Sequence, residues 1–438
     1  MKKKEVIVRR VLLISVFCIC LTGALLLPVN QCPDEEGRLL LTEWMVRTGS
    51  LPTGNEAEVM IPDWGFSYAL RPYLSAMIGA VFVRAVSFLT ENSRVLLAAA
   101  RMCSVLSVTV CCGFCLRLGK HVFDKTASAL LYAVIVCFVP QVLFLGMYQN
   151  NDALSLAAVS AMVCYFAEGR EAHWPLRSCL GLGISMSVAL LSYYSAYGWI
   201  LITALFCVVS VLRDTEISGK GKFLLGRILL IAGICVLLAG WFFARNAVIH
   251  GGDFLGLASE QTSRQAAREQ GFFVYDYISR KSDGISPAGF LTENNFTWLK
   301  MTAMSMVGVF GRLNIMMPKS AYVLYYGFFL IGAVGFLLCS LSHRGERRNG
   351  LVFLLLLSGT CFTFVLHFWQ SYSRDYQPSG RYIISALLLL GYMLTYGVDQ
   401  LKAPVAGQHR PRYPAAVLAA VWLVMFVWVC FGTMMKML

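Results

Sequence analysis

Pro33-Asp34-Glu35-Glu36 opens the stretch PDEEGRLLLTEWMVRTGSLP (residues 33–52), and its three consecutive carboxylates follow directly on the apolar run Val11 to Pro28. Charge at the end of a hydrophobic segment is costly unless it faces a cavity or water. The run before it therefore reads as a membrane span, and the acids mark the point where the chain meets water on the far side. Leu40, Leu41, Trp44 and Met45 recur at helical spacing, which predicts a helix lying along the membrane surface with the acids at its start. Adjacent carboxylates there can serve one as general base and one as hydrogen-bond acceptor for a polyhydroxylated substrate. Taken alone, the stretch is better read as acids opposing the macrodipole at a solvated helix N-terminus.

The rest of the chain agrees with the membrane reading. Hydrophobic residues make up 58% and charged residues 14% of 438 positions, and the mean hydropathy is +0.65, which excludes a soluble core and points to a polytopic membrane protein. A net charge of +13 would suggest a nucleic-acid partner in a soluble domain. Here Lys and Arg fall in short clusters between apolar runs, so the basicity reports topology and no nucleic acid is expected. Nearly all of the fifteen cysteines, including Cys111, Cys112 and Cys115, lie within apolar runs and read as small buried hydrophobes. Cys32 alone is placed where an oxidising exterior would reach it. Met1 to Arg10 followed by Val11 to Pro28 has the shape of a signal peptide, but no small-x-small cleavage pattern follows, so an uncleaved first span is expected.

Lys2, Lys3, Lys4, Arg9 and Arg10 place the N-terminus in the cytoplasm, and Asp34 then emerges on the outer face. The first outer loop covers residues 29–94. Its run Tyr73 to Leu89, interrupted by Arg84, is expected to be a juxtamembrane or re-entrant helix, because the basic loop around Arg117, Lys120, His121 and Lys125 requires Val95 to Leu116 to run inward. Thr126 to Leu145 returns outward and presents Asn151-Asp152. Leu154 to Ala167, Cys179 to Leu191, Trp199 to Leu212 and Leu229 to Phe243 then alternate across the membrane, with Arg213, Lys220, Lys222 and Arg227 inside and Tyr193-Tyr194-Ser195-Ala196-Tyr197 outside. A long polar outer loop, 244–319, follows; loops of that length are usually functional lids or disordered insertions. Its apolar end, Phe296 to Phe310, reads as a surface helix closed by Gly308-x-x-Gly311-Arg312. Tyr322 to Leu341, Leu351 to Trp369, Tyr382 to Val398 and Ala415 to Phe431 complete about eleven spans, with Arg344, Arg347, Arg348, Lys402, Arg410 and Arg412 inside. Residues 1–438 form a single integral membrane domain on this reading.

Four elements thereby share the outer face: Asp34-Glu35, Asn151-Asp152, Arg245-Asn246 with Gly252-Asp253, and Gln377-Pro378-Ser379-Gly380-Arg381-Tyr382. Two acids and two arginines are suited to moving a sugar from a phosphate-linked donor. The acid takes the acceptor's proton, and arginine neutralises the phosphate that leaves. Singly, each has a plainer explanation: Asn151-Asp152 as a helix cap, Arg381 as an interface anchor, Arg245-Asn246 as a loop contact.

A first span followed by Pro-Asp-Glu, a later Asn-Asp, a Trp-x-x-x-Arg-Asn element (Trp241 to Asn246) followed by Gly-Asp, and Gln-Pro-x-Gly-Arg-Tyr, in that order, resemble the GT-C class of membrane glycosyltransferases. The nearest branch resembles the protein O-mannosyltransferases and lipid A aminoarabinose transferases. The resemblance implies an all-α bundle of about eleven transmembrane helices with juxtamembrane helices on the outer face. It also implies a polyprenyl-phosphate-linked sugar donor, a glycan, lipid or protein acceptor, the lipid bilayer as surroundings, and an inverting single displacement in the cytoplasmic (plasma) membrane. By motif, Asp34 matches the catalytic base, Glu35 its companion and Asp152 the second acid; Asn151, Arg245, Asn246, Gln377, Arg381 and Tyr382 match substrate-binding positions. Two departures bear on the acceptor: Arg71-Pro72-Tyr73 stands where relatives carry Lys-Pro-Pro, and Glu36-Gly37-Arg38 where many have His or Tyr.

Other chemistries fit less well. His121, His173, His250, His343, His367 and His409 lack metal-ligand spacing, and neither a P-loop nor a dinucleotide fingerprint is present. Asp34, Glu35 and Asp152 are able to share a divalent cation, but the chemistry requires no cofactor. Asn295-Phe296-Thr297 matches a glycosylation sequon, read here as chance. The rival functions are a transporter or flippase for lipid-linked sugars, which calls for ionisable groups buried mid-span and broken helices in paired halves, and a noncatalytic envelope-assembly factor.

Overall fold

Apolar segments in lipid have no water for their backbone groups, so they close their hydrogen bonds internally as helices. The computed structural model describes residues 3–29, 31–342, 349–400 and 414–437. The clusters at Arg344, Arg347 and Arg348 and at Lys402, Arg410 and Arg412, with Lys2, His343 and His409, lie outside the described residues. The chain runs α1 Lys3–Leu26, α2 Glu35–Thr48, α3 Leu74–Ser87, α4 Ser93–Ala100, α5 Met102–Val122, α6 Thr126–Cys137, α7 Pro140–Leu145, α8 Asp152–Glu171 and α9 Leu176–Leu190. It continues with α10 Tyr197–Arg213, α11 Lys220–Cys235, α12 Trp241–Ile249, α13 Leu257–Glu269, α14 Pro287–Gly308, α15 Lys319–Ser342, α16 Gly350–Ser373, α17 Ala386–Asp399 and α18 Pro414–Gly432. Among the described residues, 8 helices are long and apolar enough to cross a membrane. Expected spans Thr126 to Leu145, Cys179 to Leu191 and Tyr382 to Val398 fall on the shorter helices α6, α9 and α17.

The protein is an all-α membrane bundle, and its departures from the expected spans have local causes. Val95 to Leu116 is divided at Arg101 into α4 and α5. Asn92 starts α4, its side chain accepting from the Arg94 and Val95 N–H groups. Thr126 to Leu145 breaks between α6 and α7 at Pro140, which lacks an N–H and forces Val139 into an extended conformation. The run expected at Leu229 to Phe243 extends from Lys220 to Ile249, with a π-bulge at Val236–Gly240. Helix α3, at 14 residues, is about 21 Å long against the ~30 Å of hydrocarbon a span must cross. It lays Ser75, Ala76, Gly79 and Ala80 inward.

Helix α8 is the central column: nearly all of it is buried, and its Ala- and Ser-rich surface lets α5 and α9 approach closely. At its far end Glu168 receives Arg117 and His121, while Asp399 receives Lys125 and Ser128. These residues therefore share one end of the bundle, opposite Asp34 and Asp152. Cys32 is buried and does not face an exterior.

The long loop 244–319 is largely structured. Asp253 caps α13, accepting from the Leu257 N–H at 3.2 Å and the Ser259 N–H at 2.7 Å. Helix α14 begins well before Phe296 and is kinked at Glu293–Phe296. Helix α14 ends at Gly308, and the residues that follow form a small hairpin, β1 Val309–Phe310 against β2 Ile315–Met316.

Candidate active site

Asp34, the N-cap residue of α2, has a left-handed backbone (φ 59°, ψ 6°). That conformation is uncommon outside glycine, and with it the side chains of Asp34 and Glu35 leave the backbone in different directions. Asp34 accepts a hydrogen bond from Arg381 Nη2 and another from the Tyr68 hydroxyl. Burial pushes its carboxyl up; the Arg381 guanidinium, with Arg38 behind it, outweighs burial and holds it below the usual carboxylate range. Its side chain stays 26% exposed.

Glu35 has gone the other way. It and Arg101 are 0% exposed and joined by two bonds of 2.8 Å. Glu35 also accepts from the Gln149 N–H at 2.9 Å. The remaining Arg101 donors reach the carbonyls of Ala24 (2.9 Å), Leu27 (2.7 Å) and Pro28 (3.3 Å). The pair closes the end of α1 and ties together α2, α5 and the turn before α8. A lone arginine inside the apolar run Val95 to Leu116 was the signal for it.

Arg381 sits on the turn Gly380–Ile383, which is seated against α14. Gly380 donates to Ser305 Oγ at 2.7 Å, and a side chain at Gly380 would collide with the α14 backbone. That close approach explains the glycine in the motif. Arg381 also donates to the Tyr382 hydroxyl at 2.9 Å. Asp152, the first residue of α8, is buried beside Arg381, Arg38 and Asp34, and its Oδ1 has no partner among the described residues. Asn151 binds structure: it accepts from Ser75 Oγ and donates to the Pro72 carbonyl at 3.1 Å. The cap of α8 comes instead from Asn150 Oδ1, 2.8 Å from the Ala153 N–H.

The Arg245 element does not join this group. Arg245 donates to the Leu51 and Pro52 carbonyls, and buried Asn246 to the Leu70 carbonyl. Both clamp the first loop, the plainer of the two explanations their sequence allows.

A cavity of about 340 Å³ opens beside Asp34 and is lined by aromatic faces, among them Tyr68, Tyr193, Trp369 and Tyr382. Tyr193 stacks on Tyr382 at 5.9 Å and 13°. Gln377 reaches the wall, its amide donating to Asp375 at 2.6 Å. Arg71, Tyr277 and Arg374 also line the cavity, held from behind by a carboxylate not legible in the sequence. Buried Glu260, from α13, receives Arg71 Nε at 3.0 Å, Tyr277 at 2.5 Å and Arg374 at 3.2 Å. Burial pushes the Glu260 carboxyl up, and Arg71 outweighs it and holds it low. Among the described residues, Asp34, Glu35 and Asp152 do not converge on a common point; Cys111, Cys115 and Cys137 do, deep among α5 and α6.

No protein-family profile matches the chain, and no curated protein does. Among solved structures, ArnT from Cupriavidus metallidurans bound to undecaprenyl phosphate is similar, with TM-score 0.58 and 14% identity over 98% of this chain and 72% of that one. Its apo state gives 0.56. The Archaeoglobus fulgidus oligosaccharyltransferase tethered with an acceptor peptide gives TM-score 0.54 at 14% identity, over 96% of this chain and 54% of its own. The chain has the GT-C fold. Within the GT-C fold of this chain, Asp34, Asp152, Gln377, Arg381 and Tyr382 meet at one end of the bundle, and Arg245 and Asn246 support the loop above.

Proposed function

We propose that the chain is a glycosyltransferase that moves a sugar from a polyprenyl-phosphate-linked donor to a hydroxyl on a glycan, lipid or protein acceptor. The observation that supports this most is the meeting of Asp34, Asp152 and Arg381 beside an aromatic-lined cavity, from three elements far apart in sequence. In this reading Asp34 takes the acceptor's hydroxyl proton as its oxygen attacks the anomeric carbon from the face opposite the phosphate. The bond from that carbon to the phosphate oxygen breaks, and its electron pair leaves with the polyprenyl phosphate. Configuration inverts in the single displacement. Arg381 is shared: it holds Asp34 in the resting site and turns to the phosphate when donor is present, which frees Asp34 as a base. Glu35 acts as a positioning residue through Arg101. No step runs through a metal. The site faces outward from the cytoplasmic membrane, with the N-terminus inside.

The test is transfer from radiolabelled polyprenyl-phosphate sugars in detergent or vesicles over a panel of acceptors. Covalent glycosylated product is expected. Movement of donor across vesicles with no product identifies a transporter, and neither outcome in any pairing identifies a noncatalytic assembly factor.

A further inference from the structure

Arg38 lies one helical turn beyond Asp34 on α2 and is 4% exposed. Its guanidinium stands 4.7 Å from the Tyr68 ring centre and 5.8 Å from that of Tyr193, and its charge acts on both Asp34 and Asp152. Among the described residues its guanidinium makes neither a hydrogen bond nor an ion pair, and its Nε is buried without a partner. Helix α2 can approach this closely because residue 37 is glycine: a Cβ there would come within 2.9 Å of the Tyr68 ring.

A buried cation with unspent donors is expensive. An unsatisfied buried polar group loses its hydration without recompense, and a charged one loses more. Arg101, nearby, shows how this chain satisfies a structural arginine, through carbonyls and a bidentate carboxylate. Arg38 has nothing comparable, and it is not isolated in this. Arg381 Nε, the Tyr148 hydroxyl and Asp152 Oδ1 are also buried and unpartnered; Asp152 feels the charge of both Arg38 and Arg381, and Tyr148 that of Arg381 and Asp152. Three unpartnered donors and one unpartnered acceptor thus lie in the same buried region, with Asp152 the group that both arginines act on. Their complement is an anion with several acceptor oxygens attached to a group bearing a hydroxyl, which is the chemistry of a sugar phosphate ester.

We propose that Arg38 is the second guanidinium of the phosphate seat, holding the phosphate jointly with Arg381 against the aromatic wall. This rests on the donor reading above and adds a residue to it. Arg38 is the standing member of the seat, since it has no carboxylate to leave, whereas Arg381 must be exchanged from Asp34. Its flat fork presents parallel donors to two phosphate oxygens, a geometry that an ammonium does not reproduce.

The test uses the full chain in detergent with two probes, undecaprenyl phosphate and inorganic phosphate, on wild type, Arg38→Met, Arg38→Lys and, as a control, Arg245→Gln. Arg38→Met is expected to weaken undecaprenyl phosphate binding by roughly 10- to 100-fold, the scale of a lost hydrogen bond to a charged group. Its thermal stability is expected to be kept or raised, because an unpartnered buried charge has been replaced by an apolar chain of similar length. Arg38→Lys should recover part of the affinity, and Arg245→Gln should match wild type. Undiminished lipid binding by Arg38→Met overturns the inference and leaves the donor reading standing. Loss of stability with undiminished affinity assigns Arg38 to the scaffold and overturns it too. Wild type that binds inorganic phosphate through Arg38 but not the lipid keeps the seat and refutes the donor reading; binding neither refutes both.

Discussion

Asp34 and Glu35 are consecutive residues, and each meets a guanidinium, yet the two ion pairs are built in opposite ways. Glu35 and Arg101 are sealed from solvent, bidentate, and saturated by backbone carbonyls and an amide. Asp34 and Arg381 share one carboxylate oxygen at a cavity wall, with Arg381 Nε unpartnered and Asp34 partly exposed. The first arrangement has every donor spent and suits a permanent clamp. The second has capacity left over and a route for ligand, which suits a group whose partner changes. The left-handed backbone at Asp34 lets one turn of chain supply both.

The comparison is most readily broken at the clamp. Removing one partner of a buried pair strands the other, so Arg101→Ala should cost about 3–5 kcal/mol of stability, seen as a large fall in the thermal unfolding midpoint. Asp34→Asn removes a partly exposed carboxylate bonded through one oxygen and should lower that midpoint far less. Equal losses in the two variants would erase the distinction between clamp and site.

A smaller effect is expected from Arg381. Arg381→Ala should weaken undecaprenyl phosphate binding by about 1.5–3 kcal/mol, and Arg381→Lys should restore only part, for want of the planar fork. Unchanged affinity in both would make Arg381 an interface anchor.

The smallest effect is a pH dependence. The Asp34 carboxyl is held below its ordinary range in the folded protein, so its pairing contributes stability that is fully present above the ordinary value, about 3.9. That contribution disappears as pH falls through the lower folded value. The stability difference between wild type and Arg381→Gln should accordingly be constant from about pH 7 to pH 5 and shrink below about pH 4. A difference that grows toward acid contradicts the pairing.

Much of this was legible in the sequence because membranes impose strong rules. Apolar runs of span length and one-sided basic clusters located the helices, and alternating direction placed Asp34, Asp152 and Arg381 at one end, where the structure brings them together. The broken spans were legible only in part. Pro140 lies inside Thr126 to Leu145, which was expected to cross unbroken, and Arg101 has to be read as a charge that turns back to meet Glu35, a contact that only tertiary packing reveals. Arg245 and Asn246 matched a motif yet serve the first loop, because sequence spacing does not say which way a side chain faces. The Glu260, Arg71 and Arg374 cluster joins residues separated by more than a hundred positions with no periodicity to link them. Arg38 was visible only as part of Glu36-Gly37-Arg38, the stretch near which many relatives have a His or Tyr; the burial of its Nε without a partner was not.

The most direct measurement is sugar transfer by Asp34→Asn from a radiolabelled polyprenyl-phosphate donor that wild type uses. The substitution keeps the shape of the side chain and removes its ability to take a proton. Turnover should fall by roughly 10²- to 10⁴-fold while undecaprenyl phosphate binding stays close to wild type and the unfolding midpoint falls far less than in Arg101→Ala. Full transfer by Asp34→Asn would contradict the assignment of Asp34 as the base.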